Sequence, residues 1–142
     1  MIKTFKGLLA DDTKQTIRLG TINGLIGYRI VKLQLIHNEP GEQNGEHTMK
    51  VFTVDPPDIN NTINFDDPTL IAVAHLEDNS DPAYALSQIV VMDHVKFNQD
   101  IYITHTDSNG TRSCNYYLEL EQMKLTLDEA TVATLKDMRG RE

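Results

Sequence analysis

Apolar and polar side chains alternate with a period of two along most of the chain, and that period predicts strands. Leu25 to Ile36 reads LIGYRIVKLQLI, and in its second half Val31, Leu33 and Leu35 alternate with Lys32 and Gln34. Just before it lies QTIRLGTI, a second short alternating run, with Asn23-Gly24 between the two. Asn-Gly readily supplies positive φ at both central positions of a type I′ turn, so the two runs are expected to form a hairpin. In that register Leu19 faces Tyr28, Ile17 faces Ile30 and Arg18 faces Arg29. The last pair is like-charged and needs solvent or a carboxylate nearby.

The polar stretch from Glu39 to Glu46, with Pro40, Gly41 and Gly45, reads as a loop. HTMKVFTVD resumes the strand pattern, with Met49 and Val51 on one face and Phe52 and Val54 on the other, until Pro56-Pro57 ends it. TLIAVAHL is apolar on both faces and fits a buried strand or a helical turn; EDNSDPAYA after it reads as an acidic loop, and SQIVVMDHVKF as another apolar run. DIYITHT and RSCNYYLELEQ flank Asp107-Ser-Asn-Gly110-Thr and predict a second hairpin. Its second strand puts Cys114, Tyr116, Leu118 and Leu120 on one face and Asn115, Tyr117, Glu119 and Glu121 on the other. After Gln122 the apolar parity passes to Met123, Leu125 and Leu127, which suggests a bulge or the end of regular pairing.

Only the C-terminal segment has a helical period. Thr126-x-x-Glu129 matches a capping box, and Leu127, Ala130, Thr134, Leu135 and Met138 recur at helical spacing over about residues 127–139. A helix that short is marginal alone and must dock on its own sheet or on a neighbour. About eight strand candidates with no crossover helix between them exclude a βαβ arrangement. The expected fold is therefore all-β: a jelly-roll-like β-sandwich of about eight antiparallel strands with a short C-terminal helix, in one domain spanning residues 1–142.

Composition narrows the function classes. The 142 residues carry 21 acidic and 13 basic side chains, a formal net charge of −8, which argues against a phosphate-backbone binder. No apolar run has the length of a membrane span, and MIKTFKGLLADD turns acidic too soon for a signal peptide. The expected partners therefore include neither nucleic acid nor membrane. The lone Cys114 excludes an internal disulfide and any Cys-rich zinc site.

The residues offer little chemistry. There is no Gly-x-Ser-x-Gly elbow, and Cys114 on an inward strand face is expected to be a small apolar filler, not a thiolate. His37, His47, His75, His94 and His105 form neither His-x-His nor His-Glu-x-x-His, so a transition-metal site would have to be assembled from distant strands. The simpler expectation is that His37, His47 and His75 end strands and that His105 pairs across its hairpin. The acidic stretches at 55–58, 66–67 and 78–81 and the Asp107-x-Asn109-Gly110 loop offer oxygen ligands for calcium, but turn-forming Asp and Asn account for them without an ion. Glu119 and Glu121 share a strand face at a spacing that glycoside hydrolysis permits, yet the face equally fits a solvated outer strand. No catalytic residue, cofactor or metal ligand is assigned.

The stretch FNQDIYITHTD from Phe97 to Asp107, with SCNYYLELEQMKL, DEATVATLKDMRG and the early IRLGTINGLIGYRIVK, resembles a group of uncharacterised virion structural proteins of marine bacteriophages. The likeness spans most of the chain and is weakest across residues 38 to 90. It implies a virion location, after synthesis in the host cytoplasm, and a non-enzymatic role as a capsid decoration (cement) or minor capsid protein. The partners it implies are copies of the chain itself, with a trimer expected, and the major capsid protein or other virion proteins. No functional residue carries over. On the helix, Leu135 and Met138 are the candidate interaction residues. The alternative is a tail or fibre module that binds a receptor or glycan, for which Tyr102 and Tyr117 are the candidates on neighbouring outward faces of the second hairpin. A cupin-like metalloenzyme is disfavoured by the missing ligand spacing.

Overall fold

The computed structural model describes residues 1–20, 24–40, 45–80 and 83–140, with the backbone alone described at 78–80, 83–85 and 139–140. Among the described residues, eight strands and one helix follow in chain order: β1 (Ile2–Leu9), β2 (Thr13–Ile17), β3 (Ile26–His37), β4 (Gly45–Phe52), β5 (Leu70–Ser80), β6 (Ala83–Val91), β7 (Ile101–Asp107), β8 (Cys114–Lys124) and α1 (Leu127–Gly140). They form two antiparallel sheets, of order β1-β8-β3 and β2-β7-β4-β5-β6. The first strand pairs with the last and the second with the seventh. That nested pairing is jelly-roll-like, and β6 departs from it by staying on the outer edge of the five-stranded sheet beside β5.

Both predicted hairpins are replaced by crossings between sheets. β2 pairs with β7 and β3 with β8, so Arg29 faces Glu121, Ile30 faces Leu120 and Tyr28 faces Gln122. The carboxylate that Arg29 needed is Glu121, at 3.0 Å. Gly24 does have a positive φ of 67°, as the turn reading required, but residues 21–23 lie outside the described residues. β7 and β8 likewise belong to different sheets. In both places the partner of each strand is decided by which buried faces can close a two-layer core.

The segment from Glu77 to Ala85, expected to be a loop, lies largely within β5 and β6, whose pairing continues out to Ser80 opposite Ala83. TLIAVAHL takes the strand option. In β3 the register slips between Ile30 and Lys32, which leaves Val31 bulged outward. Tyr28, Ile30, Leu33 and Leu35 are consequently the inward residues, and Val31 does not share their face. Of the two outcomes expected after Gln122, the end of regular pairing is the one that occurs: β8 keeps register with β3 without a bulge of its own and stops at Lys124.

The main core lies between the sheets, around Ile30, Leu33, Met49, Val51, Ile71, Ile101, Ile103, Leu118 and Leu120. A second cluster, Phe52, Leu70 and Val73, lies on the outer face of the five-stranded sheet. The 53–69 segment is tied down beside it by Lys50, whose Nζ donates to Asn60 Oδ1 at 2.9 Å and to the Thr62 carbonyl at 2.7 Å. Burial lowers the Lys50 pKa, and Asp67 partly offsets this.

The capping box forms as predicted: Glu129 N–H donates to Thr126 Oγ1 at 3.1 Å, and Thr126 N–H donates to Glu129 Oε1 at 3.2 Å. The docked face of α1 is not the expected one. Ala130 and Ala133 pack with Leu125, Leu25 and Met123, while Leu135 and Met138 are 46 % and 56 % exposed. Small residues are needed on that face because Asn98 reaches into it, donating to the Gly24 carbonyl at 3.0 Å and to Thr134 Oγ1 at 2.9 Å.

Candidate functional site

Three strands bring ionisable side chains together at one end of the core. His47 lies on β4 with the inward parity of Met49 and Val51; His105 lies on β7 with that of Ile101 and Ile103; Cys114 opens β8 with that of Tyr116 and Leu118. All three are essentially inaccessible to solvent. In the β4–β7 ladder His47 stands opposite Asp107 and Met49 opposite His105, so the two imidazoles are diagonal neighbours on one face. Cys114 comes from the other sheet, opposite His37 and Leu9. One ligand atom from each of the three side chains lies within 4.8 Å of the others.

Hydrogen bonding settles the proton positions. The Ala10 carbonyl can only accept, so His105 Nδ1, 3.0 Å away, carries a proton and donates it. A neutral His105 then offers Nε2 as an acceptor, and His47 Nδ1 donates to it across 2.9 Å. Burial lowers the His47 pKa from its ordinary 6.5 to about 4, reinforced by His105 and opposed by Asp107. His47 is therefore neutral near pH 7. Its ring also stacks on His105 and meets His37 edge-on, both with centroids 5.1 Å apart. Gly45 admits it: a Cβ there would come within 2.6 Å of His47 Nε2.

Burial pushes the Cys114 thiol up to about 12, with Asp107 adding to the effect, so the metal-free thiol is no nucleophile at neutral pH. Asp107 is engaged as a turn organiser, accepting from the N–H groups of Glu46, Asn109 and Arg112 at 3.0–3.1 Å. Beside the cluster is a cavity of about 270 Å³ lined by His37, Asn38, Glu39, His47, Arg112 and Ser113.

Sequence reasoning placed these histidines separately and paired His105 across a hairpin. The structure instead sets His105 against His47. The missed signal was parity, because His47, His105 and Cys114 each continue an inward apolar register at a strand end.

The expected interaction residues are dispersed. Tyr102 is buried on the outer face of the five-stranded sheet, opposite Phe52, whereas Tyr117 lies on the outer face of the three-stranded sheet and donates to Glu119 Oε1 at 2.7 Å. The two tyrosines are on different sheets and cannot form one sugar platform, because the hairpin that would have made them neighbours does not form. Glu119 and Glu121 sit on the solvated face, Glu121 held by Arg29. In the acidic loops two carboxylates serve a turn and a pair: Asp67 accepts from Thr69 N–H and Oγ1 at 2.9 and 2.7 Å, and Asp55 pairs with Lys14. Asp81 lies outside the described residues.

No family model matches the chain, and no curated protein does. Among solved structures it is similar to a Bacillus endospore appendage, of a family described as disulfide-linked pili. Identity there is 11 % and the TM-score 0.37, over 88 % of this chain and 89 % of that one. Likeness at this level transfers no role.

Proposed function

We propose that the chain is a non-enzymatic structural subunit that works by associating with copies of itself, as a decoration (cement) or minor capsid protein of a bacteriophage virion. The observation that supports this reading is β6. It forms an outer edge of the five-stranded sheet, and its sequence AYALSQIVV contains no charged residue. Leu86, Ser87, Gln88, Ile89 and Val90 are all exposed, so both faces and one hydrogen-bonding edge of the strand are open. Monomeric β proteins usually guard such edges with lysine, proline or a bulge. An unguarded edge of this length is what a strand needs if a second copy is to cover it. The virion setting rests on the resemblance of the Phe97–Asp107 and C-terminal stretches.

The reading is tested by light scattering on the wild type and on Ile89→Lys, together with mass-spectrometric copy counting in purified particles. Concentration-dependent oligomers that the lysine abolishes, and many copies per particle, are expected. A wild type that stays monomeric at high concentration and is absent from particles would overturn it.

A further inference from the structure

We propose that His47, His105 and Cys114 form a binding site for one divalent zinc-like ion that staples the two sheets together. Two imidazole nitrogens and one thiolate are the donor set that borderline-soft ions of the zinc class prefer, and here they converge from two strands of one sheet and one of the other. A tetrahedral ion with Zn–N about 2.1 Å and Zn–S about 2.3 Å holds its donors roughly 3.3 to 3.6 Å apart. The facing nitrogens of His47 and His105, now 2.9 Å apart, need to open by only a few tenths of an ångström.

The surroundings fit as well. Metal-ligating histidines commonly donate their other ring N–H to a backbone carbonyl, and His105 already does so to Ala10, which leaves Nε2 as the coordinating atom. On binding, the ion takes the place of the proton now shared between the imidazoles. His47 then coordinates through Nδ1 and carries its proton on Nε2, and the Cys114 thiol releases one proton to solvent. The cavity lined by His37, Glu39 and His47 gives the ion a route in and room for a fourth ligand, either water or the His37 imidazole. This site is independent of the assembly surface at β6.

Cobalt(II) titration of the chelator-treated full-length protein tests the proposal. The expected result is one ion per chain, with a thiolate-to-cobalt charge-transfer band and displacement of the cobalt by zinc. Zinc is also expected to raise the melting temperature in a concentration-dependent way. Cys114→Ser, which removes one of the three donors, should abolish both the band and stoichiometric binding, while His94→Ala, at an exposed histidine, should leave both unchanged. Absence of the band in the wild type would overturn the proposal whether or not the serine variant folds. So would stoichiometric binding that survives in Cys114→Ser or disappears in His94→Ala.

Discussion

His47 donates its Nδ1 proton to His105 Nε2 across 2.9 Å, a direction imposed by the Ala10 carbonyl on the far side of His105. Both buried rings thereby have hydrogen-bond partners, and burial keeps His47 neutral, which avoids the several kcal/mol that burying an unpaired charge costs. In metal-free protein near neutral pH, ¹⁵N-resolved NMR of the two rings should find the proton on Nδ1 in both. An Nε2–H tautomer of His105 would contradict the geometry.

The bulge in β3 gives a sharp contrast between neighbours. Strict alternation places Val31 with Leu33 and Leu35, yet Val31 points outward while Leu33 is fully buried. Val31→Lys should change stability by no more than about 0.5 kcal/mol, and Leu33→Ala should cost about 2–5 kcal/mol. Urea denaturation of both variants checks this; equal losses would mean that the register has no slip.

Gly24 is required twice over, by its φ of 67° and by Asn98, whose Nδ2 would lie 2.9 Å from an added Cβ. Gly24→Ala is expected to destabilise by more than about 1 kcal/mol. Because Asn98 also holds α1 through Thr134, amide exchange should rise in the helix before it rises in β7 or β8.

The helix start should respond to acid. Lys96, 2.5 Å from Glu129, holds its carboxyl below the usual range, and hydrogen bonds from Thr126 add to this. Since the folded-state value is depressed, the stabilisation is complete above the ordinary 4.5 and is lost as pH falls through the folded value. The protection factor of the Ala130 amide, that is, its exchange rate corrected for the intrinsic pH dependence, should therefore fall at low pH, and Glu129→Gln should remove that dependence. Thr126→Ala should cost about 1 kcal/mol at neutral pH, as read by thermal melting.

Local chemistry was legible in the chain itself. Period-two alternation located the strands, because a strand between core and solvent must alternate. The capping box located the helix start, since an orphan N–H needs an acceptor wherever the helix docks. The inward row Cys114, Tyr116, Leu118 and Leu120 was readable for the same reason. Partnership was not legible. Asn23-Gly24 and Asn109-Gly110 announce reversals, but whether a strand returns beside its neighbour or crosses to the other sheet depends on burying every apolar face at once. That non-local requirement paired β2 with β7, slipped Val31 outward and chose the alanine face of α1 over its leucines. It also gathered His47, His105 and Cys114, up to 67 positions apart in sequence, into one contact, which only the closing of two sheets could bring about.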